Sequence, residues 1–173
     1  MGREPGSAKV YVASPLGFAV SSDSYRAVVA QALAKEGLDA LDPWHDPRRA
    51  YLKALRAAEA AGDPVERRRL LAEGDMAAGA RNRSLIEEAS GVFAILDGAD
   101  VDSGTASEVG FAAGRGLPVV GLRTDQRRSG ENDGVAVNLQ VEYFVRMNGG
   151  AVFASLPKAV AALRKLVRAT PRP

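Results

Sequence analysis

Apolar residues along the chain fall into short runs separated by longer stretches of helical pattern, and that alternation sets the expected elements. Residues 9–13 read as a buried strand, ended by the turn Ser14-Pro15-Leu16-Gly17. A helix capped by Ser21 or Ser22 runs to about Glu36, Gly37 stops it, and residues 38–41 form a second strand. From Pro47 to about Ser90 the pattern is helical but broken at Gly62-Asp63-Pro64, with Asp63 as N-cap and Pro64 at the first helical position. Two helices after one strand exceed an ordinary crossover, so residues 48–78 read as a helical insertion serving as a lid or a subunit contact.

Residues 92–96, 117–122 and 151–153 are the remaining strands. Helices are expected from Thr105 to about Arg115, from Asn138 to about Met147 and after a Ser155 cap, and residues 123–134 as a mobile loop. Strands alternating with helices predict an α/β fold, a five-stranded, mainly parallel sheet with helices on both faces. The whole is one domain over residues 9–169, with a disordered tail at 1–8 and a short tail at 170–173.

A length of 173 residues and 46% hydrophobic content suffice for a sizeable core. The 23 basic and 21 acidic side chains leave a net charge of +2, too small a field to point to nucleic acid, and Arg67-Arg68-Arg69 reads as a solvated helix face. The absence of cysteine excludes disulfides, thiol nucleophiles and cysteine–zinc sites. The first residues lack a signal-peptide core and no apolar run spans a bilayer, so no membrane association is expected and the cytoplasm is the expected location. His45 is the single histidine, in the turn-rich Pro43-Trp44-His45-Asp46-Pro47, so a triad or multi-histidine metal site would rest on it alone. It reads as an exposed loop residue, or with Trp44 as the mouth of a pocket. Neither a GxGxxG fingerprint nor a GxxxxGK[ST] loop occurs.

The candidate chemistry lies in Asp102-Ser103-Gly104-Thr105-Ala106-Ser107-Glu108-Val109-Gly110, where a strand passes through an acidic loop into a helix. Open parallel sheets place ligands beyond such strand ends. Thr105 and Glu108 stand at the spacing of a capping box, which is one reading. The other makes Glu108 a nucleophile, held ionised by the helix dipole, beside a loop crowded with Asp97, Asp100 and Asp102.

This run, together with Tyr11-Val12-Ala13-Ser14-Pro15, Asn82-x-x-x-Ile86 and Asn138-Leu139, resembles the nucleoside 2-deoxyribosyltransferases from about Lys9 to Leu163. Only residues 48–78 look longer than is usual in that family. The resemblance implies a flavodoxin-like (Rossmann-like) three-layer sandwich and an enzyme that moves 2-deoxyribose between nucleobases, without cofactor or metal. Its substrates would be a 2′-deoxynucleoside and a free nucleobase. Glu108 matches the family's nucleophile, which forms a covalent deoxyribosyl intermediate, and Tyr11 the tyrosine that positions it. Asp102 matches the aspartate holding the sugar 5′-hydroxyl. Asn138 matches an asparagine that reaches the same hydroxyl from a neighbouring subunit, implying a homo-oligomer (dimer-based, tetramer or hexamer). Ser14 and Gly104, within the motifs, and Asp97 are further expected substrate contacts.

Asn82 stands where many members carry an aspartate that contacts the leaving base. An amide can hydrogen-bond a base but cannot protonate it, which leaves Asp97, Asp100, Asp46 or water for that step. Two alternatives compete with the transferase. Nucleoside 5′-monophosphate N-glycosidases tend to carry serine where Asp102 stands, and a carboxylate there would repel phosphate. A non-catalytic nucleotide-binding module would have no need of Glu108 and Tyr11.

Overall fold

Five short strands order the chain. The computed structural model describes residues 7–45 and 48–169, which includes the last two residues of the expected N-terminal tail. Ser7 donates to Asp39, and Ala8 already pairs with Leu38, so these two residues of the segment expected to be disordered are held against β2. Residues 1–6 and 170–173 lie outside the described residues, as does Asp46.

In chain order the elements are β1 (Ala8–Ala13), two 3-10 turns (Pro15–Phe18 and Val20–Ser22), α1 (Asp23–Lys35), β2 (Leu38–Leu41), α2 (Arg48–Ala60) and α3 (Pro64–Glu88). They continue as β3 (Val92–Ile95), α4 (Ser103–Gly114), β4 (Val119–Leu122), α5 (Leu139–Met147), β5 (Val152–Phe153) and α6 (Leu156–Ala169). The strands pair in the order β2-β1-β3-β4-β5, every pair parallel, which is the flavodoxin-like order.

Alternation along each strand explains the two helical layers. Tyr11 and Ala13 of β1, with Val92 and Ala94 of β3, face α3, α4 and α5, where Ile86, Val109 and Val141 meet them. Val10, Val12, Phe93 and Ile95 face the other way, against Val29 and Leu33 of α1 and Val160 and Leu163 of α6. Both faces of the sheet are therefore covered, and the strands read as near-continuous apolar runs.

Helix starts divide by local chemistry. Asp63 caps α3 as expected, accepting from Val65 N and Glu66 N, with Pro64 next. Ser22 precedes α1 but makes no side-chain cap, because the 3-10 turn before it already holds its backbone in the helical region. α4 begins two residues earlier than its pattern suggests. Asp102, not Thr105, is the N-cap: its extended backbone places Oδ2 at 2.9 Å from Thr105 N. Thr105 is thereby the third helical residue, and the capping box with Glu108 does not form.

α2 and α3 form a hairpin in which Gly74 faces Ala54. A Cβ at position 74 would come within 2.6 Å of the Ala54 Cβ, so the close crossing requires glycine. Among the described residues no helix is long and apolar enough to cross a membrane.

Candidate active site

The sheet's strand order reverses between β1 and β3, and the crevice outside their carboxyl ends is the position at which open α/β sheets bind ligands. A cavity of about 460 Å³ opens there. Its floor comes from Ser14 after β1 and from Asp102, Gly104, Thr105 and Glu108 on α4, and α3 supplies Asp75, Ala78 and Asn82. An apolar wall is built by Phe18, Trp44, Tyr51 and Leu52.

Glu108 is the central group. Tyr11 Oη donates to its Oε1 at 2.6 Å, and Asn82 Nδ2 donates to the same oxygen at 3.1 Å. Oε2 accepts nothing from the described residues, and Glu108 borders the cavity. Burial pushes the carboxyl up to about 7, against the two hydrogen bonds that lower it, and the Asp102 charge adds to the rise. The helix dipole alone would hold the group ionised. Glu108 lies in the second turn of α4, where the dipole has faded, so desolvation outweighs it. Tyr11 is fully buried, and burial followed by the Glu108 charge drives its hydroxyl well above its ordinary range, which keeps it a donor.

Asp102 is tied at one oxygen only. Its Oδ2 accepts from Thr105 N and, at 3.2 Å, from Thr105 Oγ1, and the residue borders the cavity. Gly104 keeps this carboxylate unobstructed, since a Cβ there would stand 3.1 Å from Oδ2. Ser14 serves mainly as a scaffold: its Oγ accepts from Leu16 N, and its carbonyl accepts from Trp44 Nε1 at 3.0 Å. The Trp44 ring lies over Gly17 and meets Phe18 edge-on at 4.6 Å between centroids. Trp44 thus lines the cavity, whereas His45 is exposed and does not.

Asp97 is placed elsewhere. Its carboxylate accepts from Thr124 Oγ1 and Asp125 N, fastening the end of β3 to the chain after β4, and it does not line the cavity. Arg123, buried, reinforces that junction by donating to the carbonyls of Leu96, Gly98 and Arg127. The segment read as a mobile loop is therefore anchored at its start. Asp100 is exposed, caps Val101 N and is also outside the cavity. Asn138 caps α5 through Oδ1, donates to Glu131 and does not border the cavity of its own chain.

Asp75, Tyr51, Leu52, Phe18 and Gly17 also line the cavity, beyond the residues expected from the sequence. The signal for Asp75 was present, because Asp75, Ala78 and Asn82 follow the helical i, i+3, i+7 spacing. Among the described residues no group of three or more histidine, cysteine, aspartate or glutamate side chains is placed to hold a metal.

Among known proteins, residues 10–140 match the family model described as nucleoside 2-deoxyribosyltransferase. A crystal structure of a conserved protein from Enterococcus faecalis V583 is similar with a TM-score of 0.64 at 24% identity, over 91% of this chain and 98% of that one. A 2-deoxyribosyltransferase from the psychrotolerant bacterium Bacillus psychrosaccharolyticus is similar with a TM-score of 0.58 at 22% identity, over 87% and 89% of the two chains. At these identities the likeness is one of fold. No curated protein matches the sequence.

Proposed function

The chain belongs to the nucleoside 2-deoxyribosyltransferase family, and from that premise we propose that it exchanges the base of 2′-deoxynucleosides by double displacement, with Glu108 as nucleophile. The observation that carries this reading is the asymmetry of Glu108, which borders the cavity and whose Oε1 is held by Tyr11 and Asn82 while Oε2 accepts nothing from the described residues.

Each side chain then has a task. Glu108 Oε2 attacks C1′ as the C1′–N bond breaks, and that bond's electrons leave with the base, which takes up a proton. The product is a deoxyribosyl ester on Glu108. A nitrogen of a second base attacks C1′ and gives up its proton to water, the ester bond breaks and the carboxylate returns. The transition states are oxocarbenium-like, for which a fixed carboxylate is suited, as in retaining glycosidases. Tyr11 and Asn82 aim the nucleophile, and the oxygen of Asp102 not used in capping accepts the 5′-hydroxyl.

The rival reading, hydrolysis of nucleoside 5′-monophosphates, would set a phosphate dianion against Asp102, and a carboxylate there disfavours it. A chromatographic assay with 2′-deoxyinosine as donor and adenine as acceptor tests the two together. Formation of 2′-deoxyadenosine supports base exchange. Release of free base from a 5′-monophosphate alone would overturn it, and full activity in Glu108→Ala would remove the mechanism.

The same reading includes a homo-oligomer. Leu139, Tyr143 and Met147 repeat every four residues along α5 and are exposed, with Phe111 of α4 also exposed. Val141 and Val145 of the same helix face the chain's own core instead. A second copy covering this stripe would bring Asn138, next to Leu139, to the edge of the contact.

A further inference from the structure

We infer that Asp75 reads the far edge of the bound base and favours purines that present two adjacent N–H donors there, the 2-amino-6-oxopurine class. The inference rests on the nucleoside reading of the site.

α3 runs along the cavity, and Asp75, Ala78 and Asn82 share the face that lines it. Asn82 touches Glu108 and so marks the reacting end. Asp75 lies seven residues earlier, about 10 Å along the helix axis. With C1′ at Glu108, the base extends from the Asn82 end toward Asp75. Ala78 between them leaves room for a flat ring, and Trp44, Phe18 and Leu52 supply apolar surface for its faces.

The other polar side chains of the cavity lie at its reacting end, and each already spends one hydrogen bond on the protein. Ser14 accepts from Leu16 N, Thr105 donates to Asp102, and Asn82 donates to Glu108. At the base end this leaves the Tyr51 hydroxyl and Asp75, and Asp75 has no hydrogen bond or ion pair among the described residues. A carboxylate only accepts, and its two oxygens match two N–H groups side by side. Guanine offers that pair at N1 and the 2-amino group. Adenine sets the N1 lone pair against the carboxylate instead, and a pyrimidine is shorter and leaves Asp75 unpaired.

The test compares kcat/KM for 2′-deoxyguanosine and 2′-deoxyadenosine as donors, with hypoxanthine as common acceptor, in the wild type, Asp75→Ala and the near-isosteric Asp75→Asn. The wild type is expected to favour 2′-deoxyguanosine. The preference should fall about 10- to 100-fold in Asp75→Ala, the loss that goes with a charge-assisted hydrogen bond, and it should appear as a raised KM for 2′-deoxyguanosine. A wild type without the preference, or the same ratio in both variants, overturns the assignment of Asp75 while leaving base exchange intact. A wild type that turns over neither donor, nor 2′-deoxyinosine or 2′-deoxycytidine, overturns the nucleoside reading itself and this inference with it.

Discussion

Tyr11 and Glu108 are 97 residues apart in the chain, yet the phenol of β1 donates to the carboxylate of α4 at 2.6 Å. The bond joins β1 to the helix that carries the candidate nucleophile, and it lowers a carboxyl that burial raises. Tyr11→Phe should therefore move the acid limb of the kcat/KM profile above its expected position near 7. Loss of aim should also reduce kcat by about 10- to 100-fold. A pH–rate profile checks both, and an unmoved limb would count against the positioning role.

Glu108 should also lower stability at neutral pH. Its folded-state value, about 7 against an ordinary 4.5, means the folded protein holds this proton more tightly than the unfolded chain does. The group's contribution is fully present below 4.5 and is lost as pH rises to about 7. Glu108→Gln retains an acceptor for Tyr11 and Asn82 without the charge. Its stability advantage over wild type should grow between pH 5 and pH 8 toward roughly 3 kcal/mol at most. Urea denaturation at the two pH values measures this, and the variant should be inactive in transfer.

Gly17 holds the Trp44 wall in place by having no side chain. A Cβ there would stand 1.8 Å from Trp44 Cδ2, and the ring is already pinned by its bond to the Ser14 carbonyl. Gly17→Ala should displace the ring, cost about 1–3 kcal/mol and raise the donor KM. Thermal melts and steady-state kinetics are the measurements.

Asp102 separates capping from recognition. Serine is also a good N-cap, so Asp102→Ser should change stability by less than about 1 kcal/mol. It removes the carboxylate acceptor, and use of nucleosides should weaken about 10-fold or more while the barrier to 5′-monophosphates falls. Unchanged nucleoside kinetics would remove the assigned role.

The fold was legible because its strands are buried on both faces and its helices carry strong punctuation, as at Asp63-Pro64 and Gly37. The strand order, by contrast, depends on long-range pairing that periodicity does not encode. Within the site, the motif around Glu108 was readable, but the start of α4 was not. Thr105 and Asp102 are both good caps, and the choice fell to the backbone of Asp102, which is extended. Asp97 was misplaced for a related reason, since its partners Thr124 and Asp125 lie beyond β4 and no local pattern links them to the end of β3. Asp75 shares a readable helical face with Asn82, but only the tertiary structure shows that the cavity extends along that face as far as Asp75.

Asn138 provides a test of whether the site is shared between subunits that does not depend on seeing the oligomer. In its own chain it caps α5, and its Nδ2 donates to Glu131 with one hydrogen, which leaves the second for a partner's ligand. Asn138→Asp keeps the cap but replaces the donor and sets a second carboxylate against Glu131, so it should lose transfer activity at some cost in stability, which a thermal melt measures. Glu108→Ala should be inactive for a different reason. In a twofold dimer that exchanges Asn138, a mixed dimer of the two variants has one site lacking both residues and one site lacking neither. Random mixing should then restore about a quarter of wild-type activity. Were each site built within one chain, both sites of the mixed dimer would be defective and no activity would return. Denaturing the two variants together, refolding them and measuring base exchange decides between these arrangements.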